Sequence, residues 1–339
     1  MPPASLPIVR LSEMEPDQEG DLFVLLSAKE ELLTREGKPY VRVTFRDARR
    51  EVSFPIWDNS PLAAECRERW TAGTFYKVRA VYRQTNYGPQ LEIRKIREAT
   101  EADAADGFDP WMCVAQSRFP PEEMLDELCQ IVRTKIPAGP LRRTVELLLT
   151  EHRDKLLGHP AARRHHHAFA AGLLEHVLSV TRTCAWLAEK YAAKYPDMNP
   201  PLDQGLVVAG AVLHDIGKLE ELEQQPTDTI YTAAGALLGH LLLGRDMVRQ
   251  AAAKAGLDAD SLLRLEHMII AHQRLPEWGS PKPPMTPEAL IVHYADDLDA
   301  KFDMMYAILR DDKTPGPLTS DKNLLRHRVY RGPGTPKMA

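Results

Sequence analysis

The chain has 339 residues, 44% of them hydrophobic and 27% charged, and a formal net charge of -5. The length exceeds that of one usual hydrophobic core and predicts two domains, while the composition excludes general disorder. The net charge excludes a globally basic nucleic-acid-binding protein, so any polyanion site must be a local patch. Four scattered cysteines and no Cys-x-x-Cys pair argue against a disulfide framework or a zinc ribbon.

No export signal or membrane anchor is expected. Residues 1–14 have no cationic start followed by an apolar core, and the longest apolar run, Gly205–Leu213, is far shorter than a bilayer span. Together with the cysteine usage, this predicts a soluble, cytoplasmic protein without a membrane partner.

The first part of the chain is predicted to form five short strands. Val41, Val43 and Phe45 alternate with polar residues, which is the period of a strand that covers a core on one side. A helix is predicted at Asn59–Arg69, between the third and fourth strands. The strands cover Asp21–Ser27, Tyr40–Arg46, Glu51–Trp57, Thr74–Tyr82 and Gln90–Ile96. This order predicts a five-stranded OB-fold β-barrel over residues 7–97.

Helical periods replace strand patterns in the second part. Residues 98–120 are rich in Ala, Asp and Glu and predict a linker. The predicted helices are Pro121–Arg133, Pro140–Leu157, Gly172–Lys194, Leu202–Leu219, Gly235–Ala255, Ser261–Arg274 and Pro287–Arg310. The expected architecture is therefore a multidomain α+β chain: the barrel, an all-α domain over 121–312, and a basic Pro/Gly-rich tail over 313–339.

A buried helix that ends in two polar residues carries the strongest chemical signal. His214-Asp215 follows an apolar run that starts at Leu206. A buried imidazole and a buried carboxylate need hydrogen bonds, a metal ion or water, because burial without partners is costly. Their combination suits a divalent cation. For this pair alone, a structural ion pair or simple exposure stays an alternative.

Residues of the same types recur on other predicted helices. His176 follows Leu-Leu-Glu, and Asp296 follows an alanine in the last long helix. The order His176, His214-Asp215, Asp296 resembles the His…His-Asp…Asp signature of the HD superfamily of metal-dependent phosphohydrolases. The resemblance implies that these four side chains hold one divalent ion and that Asp215 bridges to a second.

The resemblance also implies ligands for a second ion, His240 and His272. His267 precedes His272 by five residues, so on a helix their directions differ by about 140° and one of them is expected to point inward. We predict His272, because the resembling motif usually ends in a His pair and Gln273 occupies the second place. A hydrogen-bonded core histidine is the alternative for His240.

Lys218 is predicted to act beside the metal ions. It follows His214 by four residues, so the two share one helix face, and Gly217 keeps the approach open. The expected role is neutralisation of phosphate charge, with Asp215 and Lys218 as the catalytic residues. The alternative is a lysine that stabilises a helix C-terminus.

A longer stretch of sequence indicates which branch of the HD superfamily the chain resembles. The run from His166 to His176 is similar to the His-His-Ala-Tyr-x-Gly-Gly-Leu-Leu-Glu-His stretch of the YhaM-like exoribonucleases, an HD branch. Phe169 replaces its tyrosine and Ala171 its first glycine. That family also has an OB-fold before the HD domain and a tail resembling residues 323–330, so the resemblance spans about Pro7 to Gly332.

This resemblance implies a cytoplasmic 3′→5′ exoribonuclease that acts on single-stranded RNA and can also shorten single-stranded DNA. Two divalent ions are expected, with Mn²⁺ first and Mg²⁺, Co²⁺ or Fe²⁺ as alternatives. His166 and His167 are candidates for substrate contact. The sequence leaves the oligomeric state open, a homo-oligomer included.

The barrel carries the candidate nucleic-acid contacts. Between Tyr40 and Arg97 there are twelve Lys or Arg residues and six Asp or Glu residues. Single strands bind by stacking bases on aromatic rings and placing phosphates on cations. Core packing is the alternative for each ring, and a solvated face for each cation. The candidates are Trp57, Tyr82, Tyr87, Arg42, Arg46, Lys77, Arg79, Arg83 and Arg94.

Two other functions stay open at this point. An HD phosphohydrolase acting on small nucleotides would keep the metal site and change the substrate. A nucleic-acid-binding adaptor would keep the metal ion without catalytic turnover. The presence of Lys218 and of all four primary ligands argues against this adaptor. Substrate length separates the enzymes, because an exonuclease degrades oligonucleotides stepwise.

Overall fold

The computed structural model describes residues 7–34, 36–85, 88–163, 167–312 and 314–333. The chain divides into two compact units. The first runs to Gln116 and includes Gln225–Asp228, and the second covers Ser117–Gln224 and continues from Thr229. The first is built on a five-stranded sheet and the second on helices, which confirms the predicted fold class.

The first unit has the strand order of an OB-fold. Its antiparallel sheet has the order β3-β2-β1-β4-β5, and the edge strands β3 and β5 approach each other, as in a partly open barrel. Helix α1 lies between β3 and β4, where the sequence predicts it. The elements are β1 Glu19–Leu33, β2 Pro39–Arg46, β3 Glu51–Trp57, α1 Ala63–Arg69, β4 Phe75–Thr85 and β5 Gly88–Glu98.

Alternation along the strands builds the core of this unit. In β3, Val52, Phe54 and Ile56 are buried while Trp57 is 50% exposed. The ring of Phe45 lies 6.1 Å from that of Phe54. Side chains that point inward therefore fill the barrel, and those between them form its outer face.

The predicted linker is partly folded. Two short 3-10 helices occupy Glu101–Asp106 and Pro110–Cys113, and the Cys113 side chain is fully buried. The carboxylate of Asp103 accepts two hydrogen bonds from Arg97, at 2.5 and 2.7 Å. The compact part of the first unit thus extends past residue 97, to Gln116.

Helices and one small hairpin form the second unit. They are α2 Pro121–Lys135, α3 Pro140–Glu151, α4 Arg153–Leu156, α5 Gly172–Lys194, α6 Gln204–Leu213, α7 Lys218–Glu221, β6 Leu222–Gln224, β7 Thr229–Tyr231, α8 Ala233–Ala255, α9 Ala259–Ala271 and α10 Pro287–Asp311. Helices α6, α9 and α10 begin after Asp203, Asp258 and Thr286, whose side chains each accept a backbone N–H of the first turn.

Helix α6 is the centre of this unit. Every residue from Gly205 to Leu213 is buried, and the helix packs against α5, α9 and α10. A helix that is apolar all round belongs in such a position. Its C-terminus therefore delivers His214 and Asp215 into the interior.

The predicted helix Leu202–Leu219 is shorter than expected. It ends at Leu213, and a turn precedes the short helix α7. A Cβ on Gly217 would lie 2.0 Å from the carbonyl oxygen of His240, so the backbone of this turn runs directly against α8. That tertiary contact, which local sequence does not reveal, accompanies the helix break.

The described part of the tail, residues 314–333, folds back on itself. The Thr319 N–H donates to the carbonyl of Val329 at 2.9 Å, and the Val329 side chain is buried. Arg331 forms an ion pair with Asp312 at the end of α10. Among the described residues, none of the helices has the length and apolar character needed to cross a bilayer.

Candidate metal centre

Four side chains converge beside the C-terminus of α6. The Nε2 atom of His176, on α5, lies 3.2 Å from Asp296 Oδ1, on α10. It also lies 3.3 Å from His214 Nε2 and 3.6 Å from Asp215 Oδ2. Ligands about 2.1 Å from one ion are themselves separated by roughly 3.0–3.5 Å. Three of the four ligand atoms are fully buried or nearly so, and Asp296 keeps 16% side-chain exposure.

Each imidazole is oriented from behind. The Nδ1–H of His214 donates to the Ala211 carbonyl at 2.8 Å, and that of His272 donates to the Ile269 carbonyl at 2.8 Å. His176 Nδ1 lies 2.7 Å from Asp299 Oδ2. With Nδ1 facing an acceptor, each ring in its neutral form carries its lone pair on Nε2, which faces the shared centre.

Asp215 faces two groups of ligands. Its Oδ2 belongs to the cluster around His176, while its Oδ1 lies 3.4 Å from His240 Nε2 and 3.5 Å from His272 Nε2. Among the described residues, this buried Oδ1 accepts no hydrogen bond. One carboxylate thus links two sets of nitrogen ligands.

His240 depends on an interruption of α8. Gly239 has φ 73° and ψ 160°, outside the helical region. This break allows both the backbone N–H and Nδ1 of His240 to reach Glu221 Oε1, at 3.0 and 3.1 Å. Its Nε2 then faces Asp215, and the Gln273 side-chain amide lies 3.1 Å from the same nitrogen.

Lys218 lies at the edge of the cluster. Its ammonium donates to Asp215 Oδ2 at 2.6 Å, and its residue is 8% exposed. Because α6 ends at Leu213, Lys218 reaches the site as the first residue of α7, and it does not share one continuous helix face with His214. The structure therefore places it beside the carboxylate that joins the two groups.

The pKa values at the centre are set by burial, which disfavours charged forms, and by neighbouring groups of opposite charge, which favour them. Burial lowers the pKa of His214 to about 4, which leaves the ring neutral at pH 7. Burial also opposes the charging of His176, but its hydrogen bonds with Asp296 and Asp299 raise the pKa to about 9. Burial would raise the pKa of Asp215, yet Lys218 and His214 hold it well below the usual value.

The donor set fits a divalent cation. The Nε2 atoms of His214 and His272 face carboxylate oxygens at 3.5 Å, and in neutral rings whose Nδ1 donates backward these nitrogens carry lone pairs, so a cation between them would be stabilised. Two sets of three side chains each bring their candidate ligand atoms within 4.8 Å of one another. They are His176-His214-Asp296 and His214-Asp215-His272. Imidazole nitrogen with carboxylate oxygen suits Mn²⁺, Fe²⁺, Co²⁺ and Zn²⁺.

The structure separates His272 from His267. His272 is 1% exposed and faces Asp215, whereas the Nε2 of His267 accepts the backbone N–H of Met285 at 2.9 Å. All six residues predicted as metal ligands lie in the centre just described.

Of the two histidines expected to touch substrate, His167 lies behind the ligands. It is 6% exposed, its Nε2 is 3.3 Å from Asp299 Oδ2, and its backbone N–H donates to Asp303. Its ring lies 5.5 Å from that of His176 and also lines a cavity with Asp299 and Asp303, so a substrate contact through His167 stays a prediction. His166 lies outside the described residues.

In the barrel, Tyr82 takes the core position that was the alternative for each ring. It is 8% exposed and belongs to the barrel core, with the Arg50 guanidinium 4.9 Å from its ring centre. Period-two alternation after Tyr76, Val78 and Ala80 places it inside, so it offers no free stacking face. Tyr87 lies outside the described residues.

Most of the predicted cations have acidic partners. Arg79 makes two bonds of 2.7 Å to Asp21, and Lys77 lies 2.5 Å from Asp106. Arg42 lies 3.9 Å from Glu30. Arg46 is half-buried, at the end of β2. Trp57, Arg83 and Arg94 line one groove of about 580 Å³ between β3 and β5, although Arg83 and Arg94 also contact Glu92.

Sequence reasoning missed the supporting residues. Asp299 lies one turn after Asp296 and binds His176, with Ser179 donating to its other oxygen. Glu221 lies one turn after Lys218 and orients His240. The signal was available as acidic residues spaced three positions from a predicted site residue on one helix face.

Two solved structures resemble part of the chain. One is the solution structure of the second OB-fold domain of replication protein A from Methanococcus maripaludis, with 15% identity, 28% of this chain and 96% of that chain covered, and a TM-score of 0.21. The other is a crystal structure of a domain of replication protein A from the same organism, with 12% identity, 28% and 98% covered, and a TM-score of 0.21.

A family model matches the helical unit. Residues 173–301 match the HD domain. All six candidate ligands and Lys218 fall within that range. The chain thus combines an OB-fold unit with a helical unit that contains an HD domain.

Proposed function

We propose that the protein is a metal-dependent 3′→5′ exoribonuclease that hydrolyses single-stranded RNA, and also single-stranded DNA. The observation that carries the hydrolase part is Asp215, whose two oxygens face two sets of imidazole ligands. The choice of substrate rests on the combination with an OB-fold and on the resemblance of His166–His176 to the YhaM-like enzymes. The direction of cleavage rests on that resemblance alone.

The candidate cofactors are two divalent ions, with Mn²⁺ as the first choice. His176, His214, Asp215 and Asp296 would hold one ion, and Asp215, His240 and His272 would contribute to the other. When bound, such ions supply Lewis acidity that lowers the pKa of water and stabilises the charge of a phosphoryl transition state.

The protein's own groups would do the remaining work. Asp215 fixes the relation between the two ligand sets, and Asp299 and Glu221 keep the imidazoles of His176 and His240 aimed at it. The ammonium of Lys218, which donates to Asp215 Oδ2, adds positive charge beside the centre and would favour an anionic phosphodiester.

The groove between β3 and β5 is the candidate path for the strand on the barrel. Trp57 is half exposed and offers a stacking face, and its ring lies 5.1 Å from that of Tyr40. Arg94, 50% exposed, is the cation of this groove with the most open side chain. Stacking and charge together are typical of sequence-tolerant single-strand binding.

The test uses the full chain and a 5′-labelled single-stranded RNA, with Mn²⁺ or with chelator. A ladder that shortens from the 3′ end, and that is absent with chelator and in Asp215→Asn, is the expected result. Labelled single-stranded DNA should give a weaker ladder of the same kind.

Three other results contradict the proposal. Hydrolysis of mononucleotides with intact RNA would indicate a nucleotidase. RNA binding without turnover would indicate an adaptor. A ladder that persists in Asp215→Asn would point to a contaminating nuclease.

A further inference from the structure

A cavity of about 380 Å³ opens at the edge of the candidate metal centre. Its inner wall includes Lys218, His240 and Gln273, and its outer wall includes Tyr231 and Trp278. Because His240 faces Asp215 at 3.4 Å, a ligand in this cavity would reach the second set of metal ligands directly. The cavity is therefore the mouth of the centre on the His240 side.

Both aromatic rings are open to solvent. Tyr231 is 52% exposed and Trp278 is 53% exposed. Rings of this kind usually bury their large apolar faces, and open ones are common where a protein binds a partner or ligand. Here both rings line the same polar cavity, so one apolar group in the cavity could contact both of them.

Short, hydrogen-bonded segments carry both rings. Tyr231 ends the hairpin β6–β7 and pairs with Leu222, and the next residue, Thr232, donates its hydroxyl to Glu220 and its N–H to Glu221. The backbone N–H of Trp278 donates to the carbonyl oxygen of Leu275 at 3.0 Å. The backbone at both rings is thus hydrogen-bonded, at the end of the hairpin for Tyr231 and in the connection between α9 and α10 for Trp278.

The chemistry of the cavity selects the kind of occupant. The aromatic rim offers stacking faces, and the inner wall offers a lysine ammonium and an imidazole beside the candidate ions. A flat ring system attached to a phosphodiester satisfies both. Aliphatic phosphates would leave the rings uncovered, and a free base would place no phosphodiester beside the candidate metal ligands.

We propose that Trp278 and Tyr231 form a nucleobase subsite that holds the terminal base of the substrate while its phosphodiester lies at the metal centre. This inference rests on the proposed function and goes beyond it, since it names the residues that recognise the terminal nucleotide. Stacking accepts every base, so the subsite binds the nucleotide at the end of a strand without choosing its sequence.

The experiment compares two RNA strands in the presence of Mn²⁺. One strand has an ordinary 3′-terminal nucleotide, and the other has an abasic residue in that place. Trp278→Ala should lower kcat/KM on the ordinary strand by about 5- to 150-fold, the range for loss of one base stack. On the abasic strand, Trp278→Ala and the parent should be equal. Trp278→Phe, which keeps a stacking face, should recover most of the rate.

Trp186→Ala is the matched control. Trp186 is 59% exposed on α5, packs under Lys190, and is not part of the cavity wall, so its removal should change neither strand. Equal losses on both strands in Trp278→Ala would overturn the subsite, because they would indicate a structural role. Unchanged rates on both strands would overturn it as well.

A second measurement separates the subsite from the proposed function. If the parent protein does not cleave RNA, the exonuclease proposal fails. The subsite is then tested by titrating the protein with adenosine 5′-monophosphate in the presence of Mn²⁺ and measuring the tryptophan fluorescence. Quenching that is present in the parent and in Trp186→Ala, and lost in Trp278→Ala, supports the subsite. Equal quenching in all three proteins, or none in the parent, contradicts it.

Discussion

The barrel and the helical unit use their charged residues in opposite ways. In the barrel, cations such as Arg79 and Lys77 are bonded to carboxylates on the same unit. In the candidate metal centre, the partners stand behind the candidate ligands: Asp299 binds the rear nitrogen of His176 and Glu221 that of His240. The front atoms are left facing one another around Asp215.

This difference shows what identifies a site. Twelve cations in the barrel sequence suggest a strongly positive surface, but paired cations contribute little net field. Buried imidazoles and carboxylates that are oriented from behind and converge in front are a stronger indication of a ligand. The predictions below test each half of the contrast.

The largest effect is expected from Asp296→Asn compared with Asp297→Asn. Asp296 lies 3.2 Å from His176 Nε2, whereas its neighbour Asp297 pairs with Lys301 on the surface. Loss of the ligand should lower metal-dependent hydrolysis about 1,000-fold, because an ion contributes several kcal/mol to the transition state. Asp297→Asn should keep the parent rate. Similar rates for the two variants in the RNA assay would exclude Asp296 as a ligand.

The next effect tests the supporting layer. Asp299→Asn weakens the acceptor behind His176 while leaving all six candidate ligands in place. Metal affinity should fall about 10- to 100-fold, as for other partners behind a ligand. Titration of the protein with Mn²⁺ by calorimetry measures this change, with Asp297→Asn as control. Parent-like affinity would mean that packing alone orients His176.

A smaller effect should separate paired from open cations in the barrel. Arg94→Ala should weaken binding of single-stranded RNA and reduce the slope of log K against log salt by about 1. Arg79→Ala should instead lower the Tm, because Asp21 is 7% exposed and loses its partner. Filter binding at several salt concentrations and thermal melts of both variants give the comparison. A larger loss of RNA affinity in Arg79→Ala than in Arg94→Ala would reverse the assignment.

The smallest effect concerns Ala171, which precedes α5. Its φ is 61°, in the left-handed region, where glycine has no Cβ penalty. Ala171→Gly should raise the free energy of unfolding by about 0.5 kcal/mol, with the lost strain partly offset by chain entropy. Urea melts measure this change. A decrease in stability would mean that the buried methyl group contributes more than the strain costs.

Ala171 also shows how the sequence resemblance connects to structure. The similar motif has glycine at this place, and the structure requires a left-handed residue there. The next residue, Gly172, cannot carry a side chain, because a Cβ would lie 2.0 Å from the carbonyl oxygen of His167. The second glycine of the motif is therefore explained by close backbone contact.

Regular elements were predictable where local pattern and tertiary structure agree. The bounds of α5 and β3 match the predicted ranges. The side-chain direction of Trp57 and Tyr82 also follows from alternation, which places Tyr82 in the core, the alternative stated for each ring. The convergence of three helices on one centre followed from the order of the ligand types.

Features that depend on contacts between distant residues were not predictable. The end of α6 at Leu213 accompanies the approach of Gly217 to α8. The hairpin β6–β7 has strands of three residues, too short for a period to appear. The break at Gly239 is hidden inside a helical pattern, since glycine in a helix is tolerated in sequence and its φ is set by the fold.

The break at Gly239 makes the position of His240 independent of the first turn of α8. The position of His240 is set by Glu221 and not by the first turn of α8, so this ligand does not inherit the register of the residues before the break. Ala236, Leu237 and Leu238 in that turn are exposed. Sequence changes in that exposed turn are therefore expected to leave the position of His240 unchanged.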